Sequence, residues 1–397
     1  MSTTPDALGN LTRSDEESRR PLRIVHCLWD GEIGGAERAV YQLVREQMDH
    51  PDVDPAILFA KSGGHYWSEA KKLGCPVITP ELPHGHALTH IRRAAHAMRD
   101  FDVHHFHSAE PLLMVSSIAC PSATRVYTHR GGFFRYGPAA RLRYEMTGLL
   151  VRRYFHAFSG NTQHATRAGA RLYRLPLERF DVTYNPVATE LLAPRRSADD
   201  VRAELGLAPS DFVLGTAANL KPWKRIHRLL DVVATDAPDV RLLVIGDGPE
   251  RQHLEAQAER LGIASRVIFA GAQPNAFDYI QVMDTFCLPS MGLESFGNAA
   301  VEAMGMGIPT LVFSDGGGLT EHIVNGRNGF VVYDNRGVAE TVNRLRFDSQ
   351  LRHEIGKNAS DVVRARYTPA KTAAAYYGLY EKAFVSSGRK KLDSGNR

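Results

Sequence analysis

From Leu22 onward, short apolar runs alternate with glycine-bearing loops and amphipathic stretches. Leu22-Arg-Ile-Val-His-Cys-Leu28 is β-rich, Gly31, Gly34 and Gly35 follow it, and residues 36–47 then place Ala36, Ala39, Val40, Leu43 and Val44 at helical spacing. The unit recurs. Residues 55–60, 76–79, 103–106 and 125–128 read as further strands, with a helical stretch over 87–99. Around 186–210 the texture breaks into a polar segment carrying Pro186, Pro194 and Pro209, which reads as an interdomain junction with at most one short helix. A second series follows, with strands at 212–216, 241–245, 266–269, 285–288 and 310–313. Apolar runs without alternation suit strands covered on both faces. The pattern predicts two parallel α/β domains in tandem, over 21–190 and 206–370, with chemistry where the carboxyl ends of the two sheets face each other.

Composition narrows this picture. The 397 residues are 43% hydrophobic and 23% charged, with a net charge of +4 that is too small to announce nucleic-acid binding. Residues 1–20 carry Asp6, Asp15, Glu16 and Glu17 without an apolar core, and read with 387–397 as polar tails. The apolar stretch 112–120 is too short to span a bilayer. Cys27, Cys75, Cys120 and Cys287 are scattered singly, which argues against a disulfide scaffold or a cysteine zinc site. A reduced, cytoplasmic protein is expected.

Three loops carry candidate chemistry. In Pro289-Ser-Met-Gly-Leu-Glu294-Ser-Phe-Gly-Asn-Ala-Ala-Val-Glu302, a strand ends at Leu288 and a helix is expected to start near Asn298 as N-cap. The amides of Asn298, Ala299 and Ala300 would then form an anion site suited to phosphate. Glu294 and Glu302 would flank that phosphate, each able to accept both hydrogens of a sugar diol. The alternative is a pair of solvated acids favoured by the helix dipole. In Gly215-Thr-Ala-Ala-Asn219-Leu-Lys221-Pro-Trp-Lys224-Arg225, Lys224 stands at the mouth of a helix expected over 226–234, placed to stabilise charge on a diphosphate leaving group without a metal. The alternative is an exposed basic loop. Gly34 and Gly35 open the first helix and allow close backbone approach, but no GxGxxG fingerprint is present. These glycines, and Gly316, Gly317 and Gly318 ahead of Glu321, also read as tight-turn residues.

Among seventeen histidines, His84 with His86, the group His104, His105 and His107, and His129 stand out. His105 and His107 share a strand face, but no third ligand at a recognisable spacing accompanies them, so zinc is disfavoured. His107 and His129, at expected strand ends, suit acceptor binding or structural imidazoles. The Asp52-Val-Asp54 pair precedes a strand, the wrong side for a metal-diphosphate loop. Between Val103 and Arg179 lie eleven arginines against three glutamates, interleaved with Phe133, Phe134, Tyr136, Tyr144, Leu149, Leu150, Tyr154 and Phe155. This mix reads either as a surface for anionic lipid or an anionic acceptor, or as core aromatics under a solvated face.

With these residues in view, the chain from about Leu22 to Ala383 resembles glycosyltransferase family 4, the retaining nucleotide-sugar transferases of the GT-B fold. The resemblance rests on Glu294 and Glu302 with seven residues between them, Gly246-Asp-Gly-Pro249, Gly317-Gly-Leu-Thr-Glu321, Gly34-Gly-Ala-Glu37 and His129. It implies that Glu294 binds hydroxyls of the transferred sugar, Glu302 binds the ribose diol and Lys224 holds the diphosphate. Phe296, Gly297, Asn298 and Ala299 would line the sugar–phosphate pocket, Gly35 would bring an amide to the phosphates, and His129 would lie near sugar and acceptor. Many members carry Arg where this chain has Asn219, so Lys221 or Arg225 becomes a substitute cation. His107 and Arg130 are the acceptor-side candidates. A C-terminal helix over 371–386, with Tyr376, Tyr377 and Tyr380, would cross back to the first domain. The implied enzyme is a retaining hexosyl- or N-acetylhexosaminyltransferase that needs no metal or other cofactor. It would use a UDP- or GDP-linked sugar and a glycan, lipid-linked or small-molecule acceptor, with no nucleic-acid partner and a candidate peripheral contact at the inner membrane surface through residues 130–156. A nucleotide-sugar epimerase of the same fold and a non-catalytic glycan- or lipid-binding module are the alternatives.

Overall fold

The computed structural model describes residues 20–80, 87–132, 137–235, 237 and 239–388. The polar segment 1–19, His84 and His86, Phe133, Phe134, Arg135 and Tyr136, and the segment 389–397 lie outside the described residues, as do the side chains of Arg141 and Arg143. The chain divides into two compact units, one formed by 1–186 with 369–397, the other by 187–368.

The first unit runs β1 (Leu22–Leu28), α1 (Gly35–Met48), β2 (Val53–Phe59), α2 (His65–Lys72), β3 (Val77–Ile78), α3 (Ala87–Met98), β4 (Val103–Phe106), α4 (Pro111–Ile118), β5 (Thr124–His129), α5 (Pro138–Tyr154), β6 (Ala157–Gly160), α6 (Gln163–Tyr173) and β7 (Phe180–Val182). Its described strands form one sheet in the order β3-β2-β1-β4-β5-β6-β7, every neighbouring pair parallel. Strand order reverses next to β1, the point at which doubly wound sheets present their loops to ligands.

The second unit runs α7 (Ala198–Glu204), β8 (Phe212–Ala217), α8 (His227–Thr235), β9 (Val240–Ile245), α9 (Arg251–Arg260), β10 (Val267–Gly271), α10 (Phe277–Ile280), β11 (Thr285–Leu288), α11 (Asn298–Gly305), β12 (Thr310–Phe313), β13 (Phe330–Val332), α12 (Asn335–Phe347) and α13 (Ser349–Arg366). Its sheet is again parallel, in the order β10-β9-β8-β11-β12-β13. β8, β9, β11 and β12 are buried along most of their length because helices cover both faces, which is why their sequences show runs rather than alternation.

The chain then returns to the first unit as α14 (Pro369–Ser386). Ala373, Tyr376, Tyr377, Tyr380, Ala383 and Phe384 form its apolar stripe and pack on Leu22, Ile24, Val103, Val126 and Ala157 of the first sheet. The tyrosines spaced three and four apart are thus core rather than surface. Among the described residues, no helix is long and apolar enough to cross a membrane.

Candidate functional site

In the second unit, β8 leads through Asn219 into a single 3-10 turn, Pro222–Lys224, ahead of α8. The Gly-Asp-Gly-Pro turn after β9 braces this loop. Leu220 N–H donates to the Asp247 carbonyl at 2.9 Å and Glu250 N–H to the Leu220 carbonyl at 3.0 Å. Gly246 has φ 120°, and a Cβ there would fall 2.0 Å from the Ala218 oxygen, so only glycine fits so close an approach. Asn219 itself is exposed.

Arg225 adopts a left-handed backbone, φ 52°. Its guanidinium closes on the Pro289 carbonyl at 2.8 Å, the Ser290 carbonyl at 3.1 Å and both Asp315 oxygens at 2.6 and 2.8 Å. The hydrogen bonds from Arg225 hold the Asp315 carboxyl below its ordinary value. Arg225 is therefore engaged as a clamp across the strand exits, which makes Lys224 the better-placed cation. Lys224 Nζ donates to Glu294 Oε2 and lies 4.3 Å from the centroid of the Trp223 ring. Ser290 Oγ donates to the same carboxylate oxygen at 3.2 Å. The two charged side chains are only 12% and 11% exposed, so removing either would leave a poorly solvated charge behind.

The loop from Glu294 enters α11, and here the structure corrects the expected cap. Gly297, not Asn298, is the N-cap, in a left-handed conformation with φ 77°. Its carbonyl accepts from Ala300 N–H at 2.9 Å, so that amide is already used. A left-handed residue swings its carbonyl over the first helical turn, and a Cβ at 297 would meet Leu319 Cδ2 at 2.1 Å. Asn298 and Ala299 are half-buried in that first turn, and Glu302 lies inside the helix, 5% exposed. Phe296 turns its ring into the core against His322 and Tyr367, with centroids at 4.6 and 5.6 Å, so it supports the loop rather than lining it. Gly318 N–H donates to the Glu294 carbonyl at 3.0 Å, a function for the glycine-rich turn beyond chain reversal.

In the first unit, Gly34 caps α1 and Gly35 begins it. The space a Cβ would take at Gly34 is filled by the Glu37 carboxylate, 2.1 Å away. His129 ends β5 and is buried. Burial pushes it down to about 4. Arg130, the next residue, donates to His107 Nδ1 from Nε at 3.2 Å and from Nη2 at 3.0 Å, to Asn185 Oδ1 at 2.5 Å and to the Tyr376 hydroxyl at 3.1 Å.

A guanidinium can only donate, so His107 Nδ1 accepts and the neutral ring carries its proton on Nε2. Nε2–H then donates to His26 Nδ1 at 2.9 Å, and His26 Nε2–H to Gln47 Oε1 at 2.8 Å. His26 is the third imidazole that linear spacing hides: strand register sets it opposite His105, and ring nitrogens of His26, His105 and His107 lie within 4.8 Å of one another. His105 bonds to the Tyr380 hydroxyl at 2.8 Å and to Thr128 Oγ1 at 2.7 Å. With their ring nitrogens in hydrogen bonds, the three make a neutral polar network. Desolvation holds all three below the ordinary histidine value, His26 at about 4.

The basic stretch is corrected in part. Arg125 is buried and donates to the Ser117 and Cys120 carbonyls at 2.7 and 2.6 Å, closing the end of α4. Phe155 is core, whereas Leu142, Met146, Leu149 and Tyr154 of α5 are exposed. Asp54 lies within β2 and pairs with Arg23 at 3.6 Å, consistent with a structural role.

The chain is similar in sequence and fold to known proteins. Residues 197–362 match the family model of the glycosyl transferases group 1. N-acetyl-alpha-D-glucosaminyl L-malate synthase of Bacillus anthracis is 30% identical over 209 residues, 52% of this chain and 54% of its own length. The lipopolysaccharide core biosynthesis glycosyltransferase LpsD of Rhizobium meliloti is 30% identical over 183 residues, 46% of this chain and 52% of its own. The chain thus spans about half the length of these curated relatives. Anabaena HepE, solved with UDP, superposes with a TM-score of 0.79 at 22% identity over 90% of this chain and 99% of that one. WaaG, a glycosyltransferase involved in lipopolysaccharide biosynthesis, superposes with a TM-score of 0.66 at 18% identity over 92% and 100%. The two Rossmann-like parallel sheets are those of the GT-B fold, and the second unit carries the sequence pattern of the glycosyl transferases group 1.

Proposed function

We propose that the protein is a retaining, metal-independent glycosyltransferase of family 4. It would move a hexosyl or N-acetylhexosaminyl group from a UDP- or GDP-linked sugar to a glycan, lipid-linked or small-molecule acceptor. The observation that carries this reading is the nearly buried Lys224–Glu294 pair at the exits of β8 and β11, ahead of the helix that holds Glu302. The two charges satisfy each other. A nucleotide sugar offers a substitute to each: its diphosphate takes the ammonium, and its hydroxyls donate to the carboxylate. Glu302 takes the ribose diol. As the bond from the anomeric carbon to the phosphate oxygen breaks, charge grows on that oxygen and is stabilised by Lys224 and the amino end of α11. The acceptor oxygen bonds to the same face of the anomeric carbon, and its proton passes to the departing phosphate. His129 lies near sugar and acceptor in this reading, with His107 and Arg130 on the acceptor side.

Support comes from the group 1 match over 197–362 and from the HepE structures, which hold UDP, UDP with glucose, and UDP-glucose. A thermal-shift panel of nucleoside diphosphates and their sugars tests the proposal, since a ligand of the folded state raises the melting temperature by mass action. One nucleoside diphosphate and its sugar should stabilise; a panel with no response contradicts the reading. Product analysis with donor alone separates the epimerase alternative, which would convert the sugar without an acceptor.

A peripheral membrane contact joins this reading because Leu142, Met146 and Leu149 are exposed at i, i+4 and i+7 of α5, a helix that also bears Arg152 and Arg153. Vesicles containing anionic lipid should sediment the protein, and neutral vesicles should not. Replacing Leu142, Met146 and Leu149 by serine should abolish sedimentation. Equal recovery with both vesicle types, or no effect of the triple substitution, contradicts it.

A further inference from the structure

The turn between β12 and β13 grips the donor loop at three points. Gly318 N–H donates to the Glu294 carbonyl at 3.0 Å, Leu319 fills the space against Gly297, and His322 Nε2 lies 2.8 Å from the Phe296 carbonyl oxygen. His322 is buried, and its Nδ1 lies 2.7 Å from the hydroxyl of Tyr367, which is fully buried. The Phe296, His322 and Tyr367 rings pack edge to face, His322 and Tyr367 at 5.3 Å. A carbonyl can only accept, so His322 must carry hydrogen on Nε2. A neutral imidazole then offers a bare Nδ1, and the tyrosine hydroxyl donates to it. Tyr367 closes the end of α13, and its own carbonyl accepts from Val187 N–H at 2.6 Å. The chain of bonds from Val187 through Tyr367 and His322 ends on the peptide two residues beyond Glu294.

We propose that His322, oriented by Tyr367, is a positioning residue that fixes the Glu294–Asn298 loop for the donor. The proposal rests on the reading of that loop as the donor site. Burial holds the imidazole at about 4, consistent with a ring that stays neutral while it donates. Neither residue touches donor in this account. Both act through the carbonyl of Phe296, on which the approach of Glu294 and the start of α11 depend.

The test uses the full chain with three substitutions: His322→Leu, Tyr367→Phe and His322→Gln. Glutamine can donate from Nε2 to Phe296 and accept from Tyr367 at Oε1. Amide hydrogen exchange over 294–300, without any ligand, should accelerate about tenfold or more in His322→Leu, several-fold in Tyr367→Phe and little in His322→Gln, while β8 and β11 stay protected. The nitrogen-15 signature of His322 in the native protein should be that of an Nε2-protonated neutral ring. With donor, His322→Leu should raise KM about tenfold and lower kcat less, and His322→Gln should return KM to within about threefold of the native value. Unchanged exchange in His322→Leu, or an Nδ1-protonated ring, overturns the positioning role. Faster exchange with unchanged donor KM overturns its link to the donor. If the native protein binds no nucleotide sugar, the donor reading fails by itself, and the exchange and tautomer results still decide whether His322 fixes the loop.

Discussion

Replacing Lys224 by alanine is expected to lower kcat by about 10²–10³, the usual loss when one preplaced charge-stabilising donor is removed. The expectation follows from position. Lys224 reaches Glu294, while its neighbour Arg225 is tied to Asp315 and two carbonyls. The variant also strands the Glu294 carboxylate in a site where it is 11% exposed, which carries a stability cost of about 3–5 kcal/mol. Stability and catalysis separate in a second variant. Adding Glu294→Gln to Lys224→Ala removes the stranded charge and should restore much of the melting temperature, but none of the turnover. A kcat loss below about threefold in Lys224→Ala, or recovery of turnover in the double variant, contradicts the role assigned to the ammonium.

The second large effect is acid lability. Desolvation holds His26, His104, His129 and His322 at about 4, and holds His105 and His107 well below their ordinary value. In the unfolded chain each titrates near its ordinary value of about 6.5. Between those limits the unfolded state binds more protons than the native state, so stability falls as pH falls. The full stabilisation is present above about pH 6.5 and is lost progressively toward pH 4. One group over that window is worth about 3 kcal/mol. Three such groups together, about 9 kcal/mol, are comparable with a typical net stability of about 5–15 kcal/mol. Melting curves should therefore be nearly level from pH 8 to 6.5 and drop steeply below pH 6, with unfolding at room temperature before pH 4. A melting temperature that holds to pH 4.5 would contradict the neutral, buried state of these rings.

The parts legible in the sequence are those whose physics is local. β1, β4, β11 and β12 have the bounds the sequence predicts; for β11 and β12 this is because strands covered on both faces need unbroken apolar or β-branched residues. β6 and β7 are not legible because Ala157-Phe-Ser-Gly160 and Phe180-Asp-Val182 offer no apolar run to count, and β13, Phe330–Val332, is only three residues long. Glu294 and Lys224 could be singled out because each stands in the loop that leaves a strand end, and Glu302 because it falls in the helix that follows. What pairs with them could not. The Lys224–Glu294 contact spans seventy positions, and the His322–Tyr367 bond spans forty-five. His26 beside His105 depends on strand register, which linear spacing does not encode. Counting arginines misread Arg125, because the count ignores that a guanidinium can be buried when carbonyls at a helix end accept its protons.

Calorimetric titration of UDP and GDP onto the native protein and onto Glu302→Ala tests the donor assignment most directly. The account predicts that one of the two nucleotides binds the native protein at a single site, and that Glu302→Ala weakens it at least about tenfold while melting at nearly the native temperature. Equal affinity in both proteins, or heat from neither nucleotide, would contradict it.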